Sequence, residues 1–67
     1  MEKLCRRHVS WWKERAADRA IVEYAPRQSM MIRIGIIAEV KGRNVRMDDG
    51  FHNWHWIPDL DARIKPT

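Results

Sequence analysis

The sequence predicts an α+β fold, in which an N-terminal helix packs on a small antiparallel β-meander of three strands. Three observations predict it. Residues 2–20 contain no Gly or Pro and are rich in Glu, Lys, Arg and Ala, all good helix formers except at special positions. From Met30 onward the apolar spacing changes to two, the period of a half-buried strand. Asp49-Gly50 then marks a reversal, followed by a last aromatic run that Pro58 ends.

The predicted helix covers residues 2–24. Cys5, Val9, Trp12, Ala16 and Ala20 fall on one helical stripe, and Arg6, Arg7, Lys13 and Glu14 lie mostly off it. Its end has two readings, because Ile21-Val22-Glu23-Tyr24 is β-branched and aromatic and suits a short strand as well as a last turn. Pro26 stops either one and pushes Ala25 toward an extended conformation. Residues 27–29 read as a connector. In the meander, residues 30–58, Ile32, Ile34, Ile36, Ala38 and Val40 alternate with Arg33, Gly35, Ile37, Glu39 and Lys41. The isoleucines are therefore expected on the core face. Lys41-Gly42-Arg43-Asn44 supplies turn residues, Val45-Arg46-Met47 a second strand, and Asp49-Gly50 a two-residue hairpin turn. Phe51 to Ile57 is the third strand, with Trp54 and Trp56 facing the core and His55 on the other side. Residues 59–67 form a polar tail, where Leu60 and Ile64 at i, i+4 suit one helical turn docking back.

A chain of 67 residues is one domain with a small core and marginal stability. Cys5 is the single cysteine, so no disulfide can form within the chain. The large side chains Trp11, Trp12, Trp54 and Trp56 are the expected source of stability, and a partner chain or self-association is the next. A net charge of +4 and a pI near 9.8 favour acidic protein surfaces, anionic lipid or nucleic acid without choosing among them. No apolar run is long enough for a membrane span or a signal-peptide core, so a soluble protein without membrane contact is expected. The lone thiol suits a reducing compartment.

The run Met31-Ile32-Arg33-Ile34-Gly35-Ile36-Ile37-Ala38-Glu39-Val40, then Val45-Arg46-Met47, then Trp56-Ile57-Pro58 resembles the start of baseplate assembly protein V, the spike protein of contractile-tail phages. The residues that carry the likeness are Ile32, Arg33, Gly35, Ile36, Glu39, Val45, Arg46, Trp56, Ile57 and Pro58, so it covers about residues 30–58. The family's further barrel strands and its needle have no counterpart here, and the Trp-rich N-terminal segment is outside the motif. The resemblance implies a partial OB-like barrel, a place in the host cytoplasm or in the virion's tail, and a tail-hub or other protein as partner.

Candidate chemistry is thin. Cys5-x-x-His8 and His52-x-x-His55 have zinc-ligand spacing, but residues three apart on a strand face opposite ways, so no metal is expected. Asp48, Asp49, His52 and His55 could serve acid–base work, yet Asp-Asp-Gly is what a tight turn requires. No nucleophile motif or phosphate loop accompanies them. A non-enzymatic protein with no cofactor is expected. The expected protein-binding residues are Trp11, Arg7, Arg15, Arg33 and Arg46, since Trp and Arg dominate interface hot spots. The rival is single-stranded nucleic acid held by Arg33, Lys41, Arg43 and Arg46, with His55 and the strand tryptophans stacking on bases. A small phage-encoded inhibitor of a host or rival-phage protein would use the same physics.

Overall fold

The computed structural model describes residues 4–27, 31–50 and 53–65. In chain order the elements are β1 (Cys5–Arg6), α1 (Val9–Ala17), β2 (Ile21–Pro26), β3 (Arg33–Lys41), β4 (Asn44–Asp48), β5 (Asn53–Trp56), a 3-10 turn (Ile57–Asp59) and β6 (Leu60–Ile64). The fold is α+β, with one helix and one antiparallel sheet of six strands in the order β1-β6-β2-β3-β4-β5.

The helix is much shorter than residues 2–24. It begins at His8, whose ring Nδ1 accepts a hydrogen bond from the Ser10 N–H at 3.3 Å, the role of an N-cap. It ends where Arg19 turns left-handed, at φ 50°. There the Arg19 N–H donates to the Ala16 carbonyl and the Ala20 N–H to the Arg15 carbonyl, a Schellman stop. That position usually carries Gly, and an arginine there hides the stop from a sequence reading. Ile21 and Val22 then follow their β propensity into β2, the strand half of the two readings. Before the helix, Cys5 and Arg6 pair with Ala62 and Asp61. Cys5 is therefore exposed on an edge strand and not a member of the stripe. Val9, Ala16 and Ala20 do pack toward the core, and Trp12 is buried in it.

The expected meander is present as β3-β4-β5. Gly42 takes φ 61° between the paired residues Lys41 and Asn44, as the first central position of a type II′ turn demands. The second turn is wider than two residues, since the next pair across it is Met47 with Asn53. Gly50 there has φ 91°; Phe51 and His52 lie outside the described residues, as do Gln28, Ser29 and Met30. The tail does not coil back as a helix. Pro58 sits in the 3-10 turn, after which Leu60 and Ala62 point inward from β6 and Asp61 and Arg63 are only half-buried. β6 inserts between β1 and β2.

This order forces the sheet to curl. In a flat sheet β5 and β6 would stand four strand spacings apart, about 19 Å. Trp56 and Leu60 are joined by the 3-10 turn alone, which spans at most about 14 Å of extended chain. The strands from β6 round to β5 therefore wrap about one interior. Trp12, Val22, Tyr24, Ile37, Val45, Met47, Ile57, Leu60 and Ala62 fill it, each 0–1% exposed.

The structure reverses the expected facing of the first meander strand as far as its bulge, and beyond it Val40 packs on the core as expected. A register shift between Ile37 and Glu39 marks a bulge, and a bulge changes which parity faces inward. Gly35 and Ile37 are buried before it and Val45 receives Val40 after it. Ile34 is half in water and Ile32 more so, at 50% and 58% exposure. Trp54 and Trp56 also face outward, at 50% and 57%, while His55 turns inward against Tyr24. An interior this small already holds Trp12 and Tyr24, and two further indoles of about 150–250 Å² each do not fit.

Candidate binding surface

Residues paired across antiparallel strands share a face, so the register assigns the outer surface. Ile21 lies opposite Ile36, Glu23 opposite Ile34, Arg46 opposite Trp54, and Asn44 opposite Trp56. α1 covers the inner side through Trp12, and the outer side stays open to solvent. It has an aliphatic end at Ile21 and Ile34 and an aromatic end at Trp54 and Trp56. Charges stand between and beside them. Arg46 lies over the Trp54 ring at 5.8 Å and 3.9 Å from Glu39. Arg63 donates to the Glu23 carboxylate at 2.6 Å, a half-buried pair that fastens β6 to β2.

The aromatic end borders a recess of about 360 Å³. One bank is β5, through Trp54, His55 and Trp56; the other is the rim where β2 ends and β6 begins, through Pro26, Arg27 and Asp59. Arg27 and Asp59 form an exposed ion pair at 3.5 Å on that rim. The Ile57 N–H donates to the Arg43 carbonyl at 2.7 Å, which holds the β3–β4 turn beside the end of β5. Lys41, opposite Asn44 on the outer face, and Arg43 thus join Arg46 near the two tryptophans.

The expected site residues consequently divide into three places. Lys41, Arg43 and Arg46 gather as the nucleic-acid reading requires, but Arg33 does not join them. It pairs with Tyr24 at the opposite end of β3, exposed above the inner face. His55 is packed on Tyr24, ring centroids 5.5 Å apart, and is not placed for stacking on bases. Arg7, Trp11 and Arg15 do come together. The two guanidinium groups lie 5.0 and 5.6 Å from the Trp11 ring, whose edge meets Trp12 at 5.0 Å. Trp11 is half-buried against the core, held by its own chain. The recess residues Pro26, Arg27 and Asp59 were not among the expected set; a return of β6 beside β2 leaves no local signal that would bring them to Trp54 and Trp56.

Around Arg33 a polar cluster lies at one end of the curled sheet. A cleft of about 530 Å³ is lined there by Arg33, Ile34, Asp49 and Asn53. The Asp49 carboxylate accepts from the Tyr24 hydroxyl at 3.1 Å and from the Asn53 amide at 2.9 Å. Burial, then the hydrogen bond and charge of Asp49, push the Tyr24 phenol up to about 12, against the pull of Arg33. Burial, then the Arg33 charge, holds the His55 imidazole below its ordinary value, with Asp49 opposing. The His55 Nε2 is enclosed with no hydrogen-bond partner among the described residues. Gly35 is the close neighbour of this cluster: a Cβ there would stand 3.3 Å from Tyr24 Cε1.

Of the zinc-spaced residues, His8 caps the helix, Cys5 is on β1 and His55 is on β5, while His52 lies outside the described residues. Among the described residues no group of three or more His, Cys, Asp or Glu side chains is placed to hold a metal ion. No helix among them is long and apolar enough to cross a membrane. Comparison of the chain with protein-family models, with curated proteins and with solved structures finds no match.

Proposed function

We propose that this protein is a small non-enzymatic binding module that engages a protein partner through the outer face of its sheet. One observation carries the reading: Ile21, Ile34, Trp54 and Trp56 stand on that face at 43–57% exposure, with Arg46 paired to Glu39 and Arg63 to Glu23 beside them. Monomeric proteins scatter single apolar residues over their surface, but a face with aliphatic and aromatic ends marks an interaction site. Aliphatic side chains suit a protein partner, because they neither stack on bases nor attract phosphates. The narrower form of the proposal is a phage tail part related to baseplate assembly protein V, binding a tail-hub protein. It is supported by the residue 30–58 motif, and its OB-like aspect by the curled, partly open barrel. An inhibitor of a host or rival-phage protein would use the same face, and neighbouring genes decide between the two.

Photo-crosslinkers at Ile34 and Trp56 test the proposal, with one at the exposed helix residue Lys13 as control. Discrete protein adducts from the two face positions and none from Lys13 are the expected result. Adducts from all three positions alike, or from none, would remove the reading.

A second reading is favoured by Trp54 and Trp56 standing in solvent beside Lys41, Arg43 and Arg46. That is the arrangement by which sheets stack single-stranded nucleic acid, at about 1–3 kcal/mol per base. Glu39 and Asp48 on the same face oppose it. Tryptophan quenching by oligothymidylate at low salt, relieved at high salt, is its signature.

A further inference from the structure

We infer that the recess between β5 and the Pro26–Asp59 rim receives an extended segment of the partner protein, apolar at alternate positions and acidic at its flanks, which adds to β5 as a strand. The inference rests on the protein-binding reading and specifies the form of the partner.

β5 pairs with β4 and is the last strand of the sheet. On its other side, alternate backbone N–H and C=O groups of Asn53–Trp56 face no strand among the described residues, and such an edge is a template for an incoming one. Strand addition draws affinity from that ladder and specificity from pockets for alternate side chains. Trp54 and Trp56, two residues apart, place their rings at a repeat of about 6.8 Å along β5. The i and i+2 side chains of a strand lying alongside have the same repeat, so two apolar side chains can rest on the two indoles. The recess, about 360 Å³, falls within the range of small binding clefts.

The banks choose between a lone segment and a second copy of this chain. Both belong to one molecule: β5 on one side, Pro26, Arg27 and Asp59 on the other. A folded copy carries the same far bank beside its own β5. Two such edges are therefore held apart beyond the strand spacing of about 4.8 Å, while a single extended segment can enter. Charge sets the flanks. Arg27 lines the recess, Arg46 lies over the Trp54 ring on its β5 bank, and Lys41 and Arg43 stand behind that bank on the β3–β4 hairpin. Asp59 and Glu39 offset them in part, and the chain as a whole carries +4. An acidic flank is drawn to this surroundings by complementarity. Nucleic acid fits less well, since the far bank is Pro26 and an Arg27 already paired with the Asp59 carboxylate.

The test selects linear twelve-residue peptides from a random display library on the full chain and synthesises the most enriched. Two further versions carry backbone N-methyl groups, one at the odd positions and one at the even. Only alternate N–H groups of an added strand face β5. One version should therefore bind about tenfold or more weakly, and the other within about twofold of the parent, as each 1.4 kcal/mol is tenfold. Trp56→Ala should also weaken binding at least about tenfold, with amide spectra unchanged outside β5 and its neighbours. Equal losses for both methylated versions would overturn strand addition. Peptides whose amide shifts map to Ile21 and Ile34 would overturn the recess and leave protein binding standing. No enriched peptide at all, or oligothymidylate binding alone, would overturn both.

Discussion

Trp12 and Trp56 are the same residue in opposite circumstances. Trp12 projects from α1 into the middle of the curled sheet and is fully buried; Trp56 projects from β5 the other way and is more than half exposed. Hydrophobicity alone would bury both. What separates them is room and register: one indole fills the interior, and β5 pairs with β4 in the register that turns Asn53 and His55 inward. The first tryptophan fills the core and the second lies open to solvent. The contrast between the inner and outer faces can be measured.

Trp12→Ala should show the largest effect, about 3–5 kcal/mol. A 67-residue chain has a total stability on the order of 3–10 kcal/mol, so this variant should be mostly unfolded by circular dichroism. Trp12→Phe should cost clearly less, because the indole N–H it removes has no acceptor among the described residues. Next comes Gly35→Val. Its Cβ would meet Tyr24 Cε1 at 3.3 Å and the Asp48 carbonyl at 3.6 Å, and overpacking there should cost about 1–3 kcal/mol in urea unfolding. Arg63→Ala probes the outer face where it does matter for stability. Loss of the half-buried pair with Glu23 should cost about 1–2 kcal/mol; no loss would mean that β6 is held by its backbone alone.

Titration sharpens the inner side further. The folded Tyr24 keeps its proton up to about 12 while the unfolded phenol ionises near 10. That contribution is complete below pH 10 and is lost as pH rises from 10 toward 12. Tyr24 is the single tyrosine, so one phenolate absorbance curve reports it, and a midpoint near 10 in the folded protein would contradict the buried bond to Asp49. His55 has the opposite sign. Its folded value is depressed, so its contribution is present above about 6.5, the unfolded value, and is lost as pH falls through the folded value. Imidazole shifts in NMR follow it directly. Smallest of all, Trp56→Ala should change unfolding stability by no more than about 0.5 kcal/mol. A cost near that of Trp12→Ala would break the contrast between the two residues.

The period change near Met30, the Gly42 turn, β4 and the burial of Trp12 were legible in the sequence, because each is set by local pattern or local backbone chemistry. The facing of β3 was not. Ile34, Ile36 and Ile37 satisfy either parity, and the bulge at Ala38 leaves no compositional mark. The helix stop was hidden because Arg19 takes a conformation usually left to glycine. The strand nature of residues 60–64 was hidden because their partners in β2 lie some forty residues earlier, beyond any local window. For the candidate surface, the basic set Lys41, Arg43 and Arg46 could be grouped from one hairpin. The far bank of the recess could not, since Arg27 and Asp59 meet only after β6 returns.

The placement of β6 between β1 and β2 also bears on the order of events in the cell. β6 emerges after the other five strands and must slot between β1 and β2, so β1 has no neighbour and β2 only half its ladder until residues 60–64 are free to pair. Completion of the sheet thereby waits for β6, with its decisive pairings between distant residues, which slows the search. Removing even Leu60 to Ile64 would cost the sheet two of its seams at once.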